Sequence, residues 1–557
     1  MKKYSFLFFI AIICAAGMLA QTSKVTATGT PPATAAPDKP KLVVGIVIDQ
    51  MRYDYVYKYW NKFGNDGFKR LMNQGYNCRN TNYNYMPTFT GPGHTAIYTG
   101  TTPSVNGIIA NDWYDWQTGK SVYCAQDNSV KGVGSDAEEG KRSPQRNLTT
   151  TMGDQLRLSD NMQSKVIGIA LKDRAAILPA GHVANGAYWY DGGTGNFITS
   201  TFYMTALPQW VTDFNAKKLP ATYLAQQWNT LLPADQYTES VADDNKYEGL
   251  FTGETKPVFP HDLPKLQDAN GKLGMIRATP YGNALTEDFA EATLNGEQLG
   301  KGKMTDFLCV SFSSTDYVGH MYGPQSMEVE DCYLRLDKEL ADLFHFLDSY
   351  LGKNNVLVFL TADHGAVETP QYLSDLKIPS GYFDEKTAID SLNKTLLRMY
   401  GDTMVLSYEN DQVFLNRKSI EQKQLNKRQI ESFVANFLMG FKGVESCMTA
   451  TELKENEFTM SPKRQVQNGY NEQRSGDVCV ILQPGWFGEW SRHTGTTHGA
   501  PWSYDTHVPL YFWGWKVKNG STDDAHTITD IAPTICSMLN IQFPDGCTGQ
   551  PISGILK

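Results

Sequence analysis

Six side chains able to bind a metal lie in four distant pieces of this chain: Asp49, then Asp316 with His320, then Asp363 with His364, then His498. Carboxylate oxygens mixed with imidazole nitrogens suit a divalent ion of borderline character such as zinc. Between the first and second pieces, the string Pro87-Thr88-Phe89-Thr90-Gly91-Pro92-Gly93-His94 sets a hydroxyl at the start of a predicted helix. Pro is tolerated in a first helical turn because the N–H it lacks would be unpaired there. Such a start also aims backbone N–H groups and the positive end of the helix dipole at any anion that meets the hydroxyl. The chemistry these parts could do is two-metal phosphoryl transfer, with Thr90 as the nucleophile.

Each part also has a duller reading. An Asp and a His four apart, as at Asp316 and His320, are more often a surface pair than a metal site. Asp363 and His364 emerge where the apolar run 357–362 ends and Gly365 permits a sharp turn. They could equally be a turn cap and a histidine satisfied by backbone. Asp49, after the apolar run 43–48, could be a helix N-cap, and so could Thr90. His498, in Gly495-Thr496-Thr497-His498-Gly499, competes with His493 and His507, and residue types alone do not choose among the three. The joint occurrence favours the metal reading, because independent dull explanations would all have to hold at once.

Ligands this far apart need a scaffold that gathers them. Short apolar runs at 42–48, 166–171, 307–312, 356–360 and 508–512 read as central strands of an α/β sheet covered on both faces. Asp49, Asp316 and Asp363 all follow the ends of such runs, where open α/β sheets form their sites. The stretch 326–351 carries Val329, Leu336, Leu340, Leu343 and Leu347 at helical spacing and stops before Gly352, so it predicts the helix joining two ligand-bearing strands. Two long regions break the alternation: roughly 186–300, with Trp189, Tyr190, Phe202, Tyr203 and Trp210, and roughly 366–490. Both read as insertions framing the cleft, either as a substrate-selecting cap or as loops packed by their own aromatics.

Of 557 residues, 41% are hydrophobic and 20% charged, which is enough for one large core with insertions. Lys2 and Lys3 precede an apolar run over 6–20 that is short for a membrane span, so residues 1–20 read as a cleaved secretory signal. Cys14 follows the bulky Ile13, which argues against a lipid anchor. No other stretch is long and apolar enough to span. The chain is therefore expected to be exported to the periplasm or released. Residues 28–40 read as a flexible leader, and the catalytic domain as 41–557. Losing residues 1–20, with two lysines and no acid, takes the formal charge from −9 to −11, which excludes nucleic acid as a natural partner. Cys309 and Cys479 sit in strand-like runs as buried thiols, while Cys536 and Cys547 are close enough in sequence for a local bridge. The pattern leaves the oligomeric state open, and a monomer is compatible with it.

The strings Thr90-Gly91-Pro92-Gly93-His94, 107–114 with Asn111, Lys172-Asp173-Arg174, Ser314-Thr315-Asp316-Tyr317-Val318-Gly319-His320 and Asp363-His364-Gly365 resemble the alkaline phosphatase superfamily. Within it the chain is most similar to the phosphate-irrepressible bacterial alkaline phosphatases with a threonine nucleophile, from about Lys41 to the C-terminus. That resemblance implies a three-layer α/β sandwich with a mostly parallel central sheet and large insertions. It implies two zinc ions per chain, one held by Asp316, His320 and His498, the other by Asp49, Asp363 and His364 with the Thr90 oxygen. It also implies that Asn111, Lys172 and Arg174 hold the non-bridging oxygens of the phosphoryl group, and it selects His498 over its two competitors. Threonine replaces the serine of the dimeric three-metal enzymes, so a magnesium site is not inferred. No Cys or Ser followed by x-Pro-x-Arg surrounds position 90, which speaks against sulfatase activity. The implied function is hydrolysis of small phosphate monoesters through a phosphothreonine. The alternatives are a nucleotide pyrophosphatase or phosphodiesterase of the same superfamily, and a non-catalytic phosphate-binding protein.

Overall fold

The computed structural model describes residues 38–488 and 493–556. The signal-peptide reading and most of the leader lie outside the described residues.

An 11-stranded sheet organises the chain. Its principal strands are β1 (Leu42–Ile48), β2 (Tyr76–Asn82), β3 (Val166–Ala170), β4 (Gly186–Asp191), β5 (Asn196–Ser200), β6 (Asp306–Phe312), β7 (Val356–Thr361) and β8 (Leu510–Gly514). They run in the order β2-β8-β7-β1-β6-β3-β4-β5, with short strands adding to the edges. The middle pairs, β7 with β1, β1 with β6, β6 with β3 and β3 with β4, are parallel. Strands β8 and β5 join antiparallel. Every residue of β1, β3, β6 and β7 is buried, as continuous Val, Ile, Leu and Phe runs require when helices cover both faces.

The strand bounds read from the sequence agree with the structure to within a residue or two, and the difference has a cause at 508–512. There the run divides into a two-residue strand, His507–Val508, and β8, with Pro509 between them because proline cannot donate to a ladder. The helices that matter are α1 (Thr90–Thr99), α2 (Asp173–Ala180), α3 (Tyr281–Glu297), α4 (Ser314–Tyr322), α5 (Met327–Tyr350) and α6 (Glu385–Tyr400). Helix α5 joins β6 to β7 as predicted, capped by Ser326 Oγ, which accepts from Val329 N at 3.1 Å.

Region 186–300 is not wholly separate from the sheet: β4 and β5 extend it, and Phe197 stacks on Phe289 of α3 at 3.7 Å. Region 366–490 has its own four-stranded sheet, made of Val405–Glu409, Gln412–Leu415, Val444–Thr449 and Val478–Leu482. A core including Leu392, Val413, Val434 and Val480 lies under it. The described cysteines are all free thiols, Cys536 and Cys547 among them, so the local bridge is absent. Cys536 is buried in the helix Ile531–Leu539, and the Cys547 thiol is turned toward the Gly549 carbonyl instead. Among the described residues no helix is long and apolar enough to cross a membrane.

Candidate active site

The parallel strands deliver their following residues to one edge of the sheet. Asp49 leaves β1, Lys172 and Arg174 follow β3, Asp316 stands in the first turn of α4 after β6, and Asp363 and His364 follow β7. Gln50 adopts a left-handed φ of 63° directly after Asp49. In that pose its N–H donates to Asp363 Oδ1 at 3.1 Å and its Nε2 to Asp316 Oδ1 at 2.7 Å, tying three strand ends together. Gly319 makes room for it, since a Cβ there would lie 2.0 Å from Gln50 Oε1.

Three imidazoles complete the set. His364 Nδ1 lies 3.0 Å from Gly365 O, His320 Nδ1 is 2.8 Å from Thr496 O, and His498 Nδ1 is 2.7 Å from Thr88 O. Each carbonyl can only accept, so each ring donates from Nδ1 and turns Nε2 inward, the arrangement that orients histidine ligands in metal sites. His364 Nε2 is then 3.5 Å from both Asp49 Oδ1 and Asp363 Oδ2. His320 Nε2 and His498 Nε2 lie 3.1 and 3.5 Å from Asp316 Oδ1. His493 stacks on Tyr382 and His507 on Tyr53, away from this cluster.

Electrostatics test whether a cation fits. Burial depresses His498 to about 3 and His364 well below the ordinary histidine value, so both rings stay neutral. Their inward lone pairs therefore bring no proton of their own to the carboxyl oxygens they face. Burial, reinforced by the neighbouring Asp363, pushes Asp49 upward, and burial pushes Asp363 up to about 7. Asp49 Oδ1, Asp363 Oδ2 and His364 Nε2 are buried without a hydrogen-bond partner, while Asp49 Oδ2 faces the Lys172 ammonium at 2.7 Å. Buried groups orphaned in this way are costly unless something positive binds them. Donor atoms of Asp49, Asp363 and His364 lie within 4.8 Å of one another, as do those of Asp316, His364 and His498. Divalent ions fit this donor set, with His364 near the seam between the two groups and His320 joined to the second through Asp316.

Thr90 is the first residue of α1. Phe89 takes the N-cap position without a side-chain cap bond, so the Thr90 hydroxyl does not serve as a cap. Its Oγ1 receives Lys172 Nζ at 3.4 Å and Arg174 Nη2 at 3.5 Å. The same Lys172 ammonium sits 2.7 Å from Asp49 and 2.6 Å from Asp316, which outweighs its burial and raises its pKa far above the usual lysine value. Asn111 Oδ1 accepts from Gly91 N at 2.8 Å, leaving its amide N–H2 to donate elsewhere.

Several supporting residues carry no role in the sequence reading. His94 contacts Thr90 O at 2.9 Å, Ser311 Oγ at 2.9 Å and Asp363 at 3.3 Å, fixing the helix start to two strands. Tyr123 accepts from Arg174 Nη1 at 3.2 Å. Arg142 Nε donates to Asp173 at 2.6 Å, steadying the turn between Lys172 and Arg174. Only His94 carried a sequence signal, as the last residue of the Thr90 string. The cleft beyond the ligands is lined from 366–490 and by none of the residues from 186–300.

The sequence profile described as type I phosphodiesterase / nucleotide pyrophosphatase matches residues 43–505. A Myroides odoratus protein named calcium-transporting ATPase is 48% identical over 523 residues, 93% of this chain and 95% of that protein. Alkaline phosphatase PafA of Elizabethkingia meningoseptica is 47% identical over 526 residues, 94% and 96% of the two chains. A crystal structure of wild-type PafA superposes with a TM-score of 0.90 at 46% identity, covering 94% of this chain and all of that one.

Proposed function

The chain belongs to the type I phosphodiesterase / nucleotide pyrophosphatase family and is a metal-dependent phosphomonoesterase, and we propose that it works with two zinc ions and Thr90 as the phosphoryl carrier. One ion would be held by Asp316, His320 and His498, the other by Asp49, Asp363, His364 and the Thr90 oxygen. When bound, such ions supply Lewis acidity to phosphoryl oxygens and lower the pKa of hydroxyl and water. The observation that carries this reading is the gathering of Asp and His donors, several buried without a hydrogen-bond partner, beside a hydroxyl that Lys172 and Arg174 also approach.

The residues then have distinct tasks. Thr90 Oγ1 loses its proton and attacks phosphorus as the bond to the leaving alcohol breaks, and the bonding pair departs with the alcohol oxygen, which takes up a proton. Water reverses the displacement, forming inorganic phosphate and returning the electrons to Thr90. Arg174 offers a planar fork and Lys172 a point charge to the non-bridging oxygens, with the Asn111 amide adding a neutral donor. The N-terminus of α1 contributes its dipole to the same anion. We place the mature chain outside the cytoplasm, in the periplasm or released, from Lys2, Lys3 and the apolar run after them.

Thr90→Ala is expected to lower turnover of an aryl phosphate by roughly 10³-fold or more while metal content measured by mass spectrometry persists. A variant as active as its parent would assign the nucleophile elsewhere. The family description also covers diesterases, but Lys172 and Arg174 suit a dianion, so the methyl diester of the same aryl phosphate should be the poorer substrate.

A further inference from the structure

A cleft of about 330 Å3 opens from the metal-ligand cluster, with Asn111, His320 and His498 on its inner side. The opposite wall comes from the 366–490 insertion and includes Glu385 and Asp411. Glu385 is the first residue of α6. Asp411 ends a two-residue turn between the strands Val405–Glu409 and Gln412–Leu415, where Asn410 and Asp411 have left-handed φ of 55° and 57°. Paired left-handed residues in a two-residue hairpin make a tight turn that Asn and Asp tolerate. This turn brings a carboxylate to the cleft on a well-defined element.

Two carboxylates of this wall have no salt-bridge partner among the described residues, and a lysine near it, Lys442, lies over the Trp486 ring at 5.2 Å. Asp411 accepts one hydrogen bond, from Tyr408 Oη at 3.1 Å. The Glu385 side chain makes no hydrogen bond or ion pair among the described residues. Burial, with Asp411 close by, pushes Glu385 up to about 7, and burial pushes Asp411 up to about 6. Asp505 also lines the cleft, but burial pushes it up to about 8 and its Oδ2 accepts from Gly499 N and Ala500 N, both at 2.8 Å, so the charge of the wall comes from Glu385 and Asp411. No lysine or arginine among the described residues lines the space, while Trp486 and Phe487 do. Aromatic faces and carboxylates together are the surroundings that an organic ammonium prefers.

The proposed reaction sets which end of a substrate reaches this wall. The phosphoryl group would be held by Lys172, Arg174 and Asn111, and His320 and His498, which would hold the ion that does not take the Thr90 oxygen, border the cleft with Asn111. We propose that the carboxylate wall is a leaving-group subsite for alcohols carrying an ammonium group, so that phosphate monoesters of amino alcohols are the favoured substrates. The inference rests on the phosphomonoesterase reading. It predicts opposite discrimination against anionic leaving groups, because repulsion selects as strongly as attraction.

The test compares kcat/KM for 2-aminoethyl phosphate and for propyl phosphate, its uncharged counterpart of similar size, near pH 8, where the amine is charged and both carboxyls are ionised. The wild type is expected to favour the amino ester about tenfold. In the Glu385→Gln, Asp411→Asn double variant that ratio should fall to about one, and phosphoglycolate should gain relative to propyl phosphate. A wild-type ratio of one or less overturns the subsite without any variant having to fold. A preference that survives both substitutions overturns it as well. If neither ester is hydrolysed, the phosphomonoesterase reading has failed and the subsite with it; turnover of both without selectivity defeats the subsite alone.

Discussion

At the scale of single residues, the site is a problem of buried charge. Asp49, Asp316 and Asp363 are buried together, and Lys172 is the cation that touches two of them while remaining within 3.4 Å of Thr90. Burial acts to raise Asp316, yet His320 and Lys172 outweigh it and hold that carboxyl well below the usual range. Lys172 and Arg174 therefore offer two positive groups to a phosphoryl dianion beside the nucleophile. A diester carries one less negative charge, so the Lys172→Ala, Arg174→Ala double variant should lose much more kcat/KM on a monoester than on its methyl diester. Steady-state kinetics on the matched pair checks this, and equal losses would count against the assignment. The six ligand types and Thr90 were legible because each chemistry needs a particular side chain in a recognisable string. Gln50 was not, since its role depends on a left-handed backbone that brings it to Asp316 and Asp363, both more than 260 residues away.

At the scale of elements, the decisive contact is between α1 and the turn after β7. A Cβ added to Gly93 would lie 2.4 Å from Asp363 O and 2.8 Å from Asp363 Cβ, the backbone and side chain of a candidate ligand. Neither can yield without moving Thr90 relative to Asp363. Gly93→Ala should therefore lower kcat far more than it lowers the melting temperature, because the strain is local and the sheet beneath is untouched. A variant with parental kcat would show that the approach is not needed. The central strands were readable because double-sided burial writes continuous apolar runs into the sequence. The edges were less so: β4 and β5 carry the aromatics Trp189, Tyr190 and Phe197, which on composition alone read as part of an insertion. The hairpin that presents Asp411 was equally hidden, since its left-handed pair is Asn-Asp and carries no glycine signal.

At the scale of the whole molecule, metal binding and folding share the same protons. The donors come from strand ends, helix α4 and the loop of His498, spread between Asp49 and His498 in sequence, so a bound ion stabilises only the assembled site. To accept a cation the carboxyls must be ionised, yet in the metal-free chain burial holds Asp49 raised and Asp363 at about 7. A raised carboxyl in the folded state stabilises that state when protonated, and this contribution is lost as pH rises from about 4 through about 7. The metal acts in the opposite sense, because binding expels those protons and strengthens as they leave. The gap in melting temperature between the metal-loaded enzyme and the same protein after exhaustive chelation should therefore widen as pH rises from about 5 to about 8. Calorimetry of both forms across that range measures it without any assay of turnover. A gap that stays constant or narrows would mean that Asp49 and Asp363 do not release protons to a metal, and the ligand set would need to be redrawn around Asp316 and the histidines.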